Sequence, residues 1–260
     1  MILREIKSFL KVLKIVCAPN FWFPYPTIFF TRPIFAINKA WSFRMALNIQ
    51  IALFRKKLRL RKLGHFYEFG SFKGDSLILF GIIKKFLSIF NPELKKQKIF
   101  SFDSFQGLPK NNLDHKDPVW REKEFCGTLK EVINNVSSYG ISFEYIKGFY
   151  SDSLTSNLQE RMLKNPPSII HIDVDLYSST IEVLEWLDKI SLPMAIYIFD
   201  DIWATGNHPD LGEQKAIMEY NSMPENRGFL VESPLSMGSK TIYSFTLRDP
   251  LEDPFYSINE

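Results

Sequence analysis

Two short stretches carry carboxylates whose types and spacing could do chemistry. Ile169-Ile170-His171-Ile172-Asp173-Val174-Asp175 is an apolar run closed by acids. Ala195-Ile196-Tyr197-Ile198-Phe199-Asp200-Asp201 repeats the pattern about one strand–helix–strand unit later. Tips of neighbouring parallel strands lie about 4.8 Å apart. Asp173 and the Asp200–Asp201 pair would therefore converge at one point. Carboxylates that close raise one another's pKa and cannot all stay ionised without a cation. Hard oxygen donors suit Mg²⁺, Mn²⁺ or Ca²⁺ rather than zinc. The plainer alternative is a set of separate acids, each capping the helix after it.

A second group of residues reads as a ligand cradle. Phe66-Tyr67-Glu68-Phe69-Gly70 ends an apolar run, and Ser71-Phe72-Lys73-Gly74 leads into a helix. Gly70 allows the unusual dihedrals of a sharp turn, and Gly74 allows close approach of a ligand. Glu68 suits a ligand with a cationic end, such as the amino group of a methionine moiety. Asp103, at the end of the next apolar run, can accept from both hydroxyls of a ribose. The turn-rich segment Ser104-Phe105-Gln106-Gly107-Leu108-Pro109 lies beside it. Gly148-Phe149 closes the third run, where the Phe149 ring would stack on a nucleobase or simply pack in the core. The segment is not a phosphate loop, and it lacks the Gly-x-Gly-x-x-Gly dinucleotide fingerprint.

These residues need a scaffold that brings run ends together. Apolar runs at 65–69, 98–102, 143–147, 168–172 and 195–199 alternate with helical stretches near 75–90, 128–138, 178–189 and 212–221. A last pair, 228–232 and 240–247, reads as an antiparallel hairpin. Alternation of this kind predicts an α/β fold, a mostly parallel sheet with helices on both faces. Ligands of such sheets bind outside the carboxyl ends of the strands, where every residue singled out above falls.

The first 63 residues differ in character from the rest. Residues 1–64 hold thirteen Lys/Arg and one acid, Glu5, whereas the remainder holds nineteen bases and twenty-eight acids. Residues 1–17 form a basic amphipathic helix with Arg4, Lys7, Lys11 and Lys14 on one face. Prolines 19, 24, 26 and 33 make residues 18–37 a connector, and residues 40–62 read as a second helix. The expected organisation is thus a helical extension over 1–63 and a catalytic domain over 64–250. The extension could be a lid, a contact in a homo-oligomer, or a peripheral contact with an anionic membrane. No signal peptide or transmembrane run is present, which points to a cytoplasmic, at most membrane-peripheral, protein. Cys17 and Cys126 stand far apart, so neither a disulfide framework nor a thiolate zinc site is expected. The Arg55–Lys62 run reads as a solvated helix face rather than a nucleic-acid site.

The ordered set Glu68-x-Gly70-x-x-x-Gly74, Asp103-Ser104-Phe105-x-Gly107-x-Pro109, Gly148-Phe149-x-x-Asp152-x-Leu154, His171-Ile172-Asp173-x-Asp175-Leu176-Tyr177, Asp200-Asp201 and Gly212-x-x-x-Ala216 resembles the macrocin O-methyltransferase family over about residues 64–222. The resemblance implies a Rossmann-like class I methyltransferase fold, with seven strands of which one is antiparallel. It also implies S-adenosylmethionine and Mg²⁺ (or Mn²⁺). Asp173, Asp200 and Asp201 match its metal ligands. Glu68 and Gly70 match its methionine-end motif and Asp103 its ribose acid, and Ser71, Gly74, Ser104, Gly148, Phe149 and Asp173 complete the expected cofactor contacts. The metal trio is also similar to that of catechol O-methyltransferases, in which a lysine stands three residues after the first aspartate. Leu176 occupies that position here.

The implied reaction is methyl transfer to a hydroxyl of a sugar, on a glycosylated natural product or glycan. Asp173 or Asp175 would take the hydroxyl proton, with His208 in the loop after Asp201 a further acceptor. His171 reads as a packed core histidine. Chelation should abolish activity, and Asp200→Ala should do so without unfolding the chain. The rival functions are metal-dependent methylation of a small phenol and a non-catalytic S-adenosylmethionine-binding module in a glycan-assembly complex.

Overall fold

In the computed structural model, residues 33–55, 63–110, 120–206, 208–236 and 240–249 are described. The basic helix expected over 1–17, most of the proline-rich connector and the basic run at 56–62 lie outside the described residues.

The chain begins there with α1 (Pro33–Arg55). The connector expected through residue 37 therefore ends sooner than its prolines suggested. Pro33 occupies the first helical position, where the missing N–H costs nothing and the fixed φ suits a helix. Phe43, Ala46, Leu47 and Ile51 recur at helical spacing and are buried, so α1 lays an apolar stripe on the body of the protein.

The order then runs β1 (His65–Phe69), α2 (Asp75–Leu87), β2 (Ile99–Asp103), α3 (Leu129–Ser138), β3 (Glu144–Lys147), α4 (Tyr150–Ser153), α5 (Ser156–Met162), β4 (Pro167–Ile172), α6 (Tyr177–Asp188), β5 (Ile196–Phe199), α7 (Gly212–Ser222), β6 (Gly228–Glu232) and β7 (Thr241–Leu247). Short 3₁₀ turns stand at Pro92–Lys96 and Ile202–Thr205. The strands form one seven-stranded sheet in the order β3-β2-β1-β4-β5-β7-β6. β1 to β5 are parallel; β7 runs antiparallel to both β5 and β6. The fold expected from the alternation is the fold observed. The small helices α4 and α5 are additions that their few apolar residues did not announce.

Strand alternation divides the core between the two faces. Phe66 packs with Phe43 and Phe80 on the side of α1 and α2. Tyr67 and Phe69 pack with Phe102, Trp186 and the α6–α7 layer on the other. β1 pairs with β2 on one side and β4 on the other, so consecutive crossovers leave in opposite directions there and open a crevice at the strand tips. No helix among the described residues is long and apolar enough to cross a membrane.

Candidate active site

Register decides what meets at the sheet edge. Phe69 pairs with Phe102 and Ile172, and Ile172 with Phe199. The ladder then runs one step beyond the strands, as Gly70 N–H donates to Phe102 O, Asp173 N–H to Phe69 O and Asp200 N–H to Ile172 O. Asp103, Gly70, Asp173 and Asp200 are thereby aligned across four adjacent tips.

Gly70 makes the turn. Its φ is +82°, and a Cβ there would fall 1.8 Å from the Asp173 carbonyl oxygen. Asp103 fastens the turn from the neighbouring tip. Its Oδ2 accepts from Ser71 N (2.6 Å) and Phe72 N (3.0 Å), and its Oδ1 from Phe105 N (2.6 Å). Burial pushes its carboxyl up, and these N–H groups pull it back only in part. Phe72 and Phe105 hold positive φ values of 45° and 54°, strain that the Asp103 hydrogen bonds offset. Ser71 Oγ lies 2.7 Å from Ser101 Oγ. Ser104 works within its own loop, donating to Gly107 O and accepting from Gln106 N, each at 3.0 Å.

Asp173 and Asp200 meet around lysines. Lys39 Nζ, from α1, lies 3.1 Å from Asp173 Oδ2, 3.3 Å from Asp200 Oδ2 and 3.0 Å from Ser76 Oγ. Lys240, immediately before β7 and 2% exposed, pairs with Asp200 Oδ1. Burial alone would lower the Lys39 pKa, but Asp173, Asp200 and Glu68 outweigh it and raise it. Burial would likewise raise Asp200; Lys39, Lys240 and His171 instead hold it well below the usual carboxylate range.

Asp201 goes elsewhere. Its backbone N–H donates to Glu213 Oε2 at 3.0 Å, and its side chain bonds to Asp175. Asp175 stands at a positive φ of 62°. Burial raises Asp175, Asp201 and Glu213 well above the usual range, and their mutual repulsion, with that of Asp173, adds to it.

His171 is more than a packing residue. It is fully buried, as expected, but its Nε2 lies 3.4 Å from Asp200 Oδ1 and its Nδ1 3.4 Å from Glu68 Oε1. Contacts with these carboxylates raise its pKa against the opposing effects of burial and Lys39. The Glu68 contact is poorly aligned, so both Glu68 oxygens are buried without a hydrogen-bond donor. An ammonium group on a ligand would satisfy them. His171, Asp173 and Asp200 each offer one ligand atom within 4.8 Å of the others. This group of two oxygens and one nitrogen could hold a divalent cation, and it includes two of the three expected ligands, Asp173 and Asp200.

The remaining expected residues are distributed as follows. A Cβ on Gly74 would meet Val136 Cγ2 at 2.8 Å and Val132 Cγ1 at 3.2 Å, so this glycine serves the packing of α3 on α2. Gly148 N–H donates to Asp103 O at 3.1 Å, and the half-buried Phe149 caps α4. Tyr150, which no motif marks, donates to Phe102 O at 3.2 Å. Burial and the charges of Asp103, Asp173 and Asp175 push its phenol well up. His208 is exposed, and its Nδ1 accepts from Asp210 N at 3.2 Å. No motif marks Lys39 or Lys240. Lys39 did carry a signal: it stands four residues before Phe43, a charge on the apolar stripe of α1.

Comparison with known proteins agrees with this architecture. The macrocin-O-methyltransferase family matches residues 56–220, well over half of the chain. The solved O-methyltransferase NovP superposes with a TM-score of 0.57 at 18% identity, over 78% of this chain and 80% of its own. The calicheamicin methyltransferase CalS11 gives 0.54 at 19% identity, over 93% of this chain and 92% of its own. At such identities the two structures speak for the fold. No curated protein sequence matches the chain. The extent of the family match, on a sheet of the order and polarity just described, makes the chain a member of the macrocin-O-methyltransferase family and an S-adenosylmethionine-dependent O-methyltransferase.

Proposed function

We propose that the chain methylates a hydroxyl of a sugar, on a glycosylated small molecule or glycan, with a divalent cation held by Asp173, Asp200 and His171. The observation that carries this reading is the convergence of Asp173 and Asp200 at adjoining strand tips, beside the Gly70 turn. The sugar class is supported by the macrocin-O-methyltransferase family to which the chain belongs.

When bound, the metal lowers the pKa of a hydroxyl at the site, and S-adenosylmethionine supplies an electrophilic methyl group. The reaction breaks the carbon–sulfur bond, forms a carbon–oxygen bond and releases the hydroxyl proton. The chain's own contribution is placement, worth up to roughly 7–11 kcal/mol in favourable cases. Glu68, with two unpartnered oxygens, receives the amino group of the methionine end. Asp103 keeps one lone pair for ribose beyond its three N–H partners. Asp173 or Asp175 accepts the proton.

The test is methyl transfer from methyl-labelled S-adenosylmethionine to a panel of glycosides with vicinal hydroxyls and to simple phenols. The glycosides should be methylated, and EDTA or Asp200→Asn should stop turnover. Turnover of phenols alone would reverse the acceptor assignment, and full activity in EDTA would remove the metal. Binding of S-adenosylmethionine with no acceptor ever methylated would favour a non-catalytic module.

A further inference from the structure

We propose that Lys39 is the resident cation of this site, bridging Asp173 and Asp200 until a divalent metal displaces its side chain. The inference rests on the metal-binding reading above and goes beyond it by assigning a role to a residue of the helical extension.

Three observations carry it. The ammonium bridges one oxygen of each carboxylate, at 3.1 and 3.3 Å. Mg²⁺ binds oxygen at about 2.0–2.1 Å, so an ion bridging the same pair would claim the space that Lys39 Nζ fills. Charge points the same way. Lys39 and Lys240 both face Asp200, so a divalent ion on the same carboxylates meets the repulsion of two ammonium groups. Withdrawal of one ammonium relieves that repulsion.

Structure selects which one. Lys240 is held by the β5–β7 ladder through its neighbour Thr241, paired with Phe199, and its side chain is 2% exposed. Lys39 is 17% exposed, on a helix that meets the sheet only through side chains. The Lys39 side chain can swing toward solvent at the cost of two ion pairs and one hydrogen bond to Ser76. Until then it holds the two carboxylates facing each other, as a ligand pair must be held. Lys39 is in this sense a positioning residue.

The experiment is Mn²⁺ binding to the full chain, followed by loss of the free-ion paramagnetic resonance signal, in wild type, Lys39→Met and Asp200→Asn. In parallel, Lys39 in the wild type is acylated with an amine-directed reagent and read by mass spectrometry, with and without Mn²⁺. Lys39→Met should bind Mn²⁺ about tenfold more tightly, Asp200→Asn should lose binding, and Mn²⁺ should accelerate Lys39 acylation. Equal or weaker binding in Lys39→Met, or unchanged acylation on saturation of the wild type, overturns the displacement while leaving the metal site standing. Absence of binding in both wild type and Lys39→Met, or binding that survives in Asp200→Asn, overturns the metal reading itself. Should Lys39→Met fail to fold, the acylation of the wild type decides.

Discussion

The backbone of Gly70 lies against the backbone of Asp173 so closely that a methyl group on residue 70 would fall 1.8 Å from the Asp173 carbonyl oxygen. Backbone meeting backbone cannot be relieved by rotating a side chain. Gly70→Ala also meets a φ of +82°, which an L-residue tolerates poorly. The expected outcome is a loss of roughly 3 kcal/mol or more of stability, with collapse of S-adenosylmethionine binding. Urea denaturation and calorimetric titration with S-adenosylhomocysteine check it.

Asp103 accepts three backbone N–H groups. Asparagine keeps the shape but turns one acceptor into a donor that faces those amides. Asp103→Asn should cost about 1–3 kcal/mol of stability for the stranded donors and raise the KM for S-adenosylmethionine. An unchanged KM would show that the turn holds without its clamp.

Phe43 is fully buried and packs edge-on against Phe66, Phe80 and His171. Phe43→Ala should cost about 3–5 kcal/mol and release α1. Hydrogen exchange should rise across α1 and stay unchanged in β4 and β5. Uniform acceleration everywhere would mean that α1 is inseparable from the sheet.

Asp200 is the carboxylate partner of the buried Lys240. Removing one member of a buried pair costs roughly 3–5 kcal/mol. Asp200→Ala is therefore expected to destabilise the chain as well as inactivate it, in contrast to what the sequence suggested. The double variant Asp200→Ala/Lys240→Met should recover part of the stability and none of the activity. Thermal denaturation and the methylation assay separate the two effects.

Lys84 supplies a pH dependence away from the site. Burial first, and Lys85 second, lower its pKa to about 8, against 10.5 for a free lysine. Between these values the unfolded chain holds a proton that the folded chain has released. This group's contribution to stability therefore rises with pH across the window, and its full cost is present below pH 8. Lys84→Met should be more stable than wild type at neutral pH, with the gap closing toward pH 10.5. A gap that is flat with pH would refute the assignment.

Sequence by itself determined the sheet, its polarity and the tips at which chemistry is seated. Strand ends, the Gly70 turn and the acids Asp103, Asp173 and Asp200 after three of the apolar runs are local features, written in the spacing of a few adjacent residues. It could not determine how the acids pair. Asp173, Asp200 and Asp201 look equivalent along the chain, yet alternation about the β5 tip sends Asp200 toward Lys39 and Asp201 toward Asp175 and Glu213. Lys39 and Asp173 stand 134 residues apart. Only the docking of α1 brings them together, because an ion pair depends on where two side chains arrive in space; a charge on the apolar stripe of α1 marks Lys39 but does not name its partner.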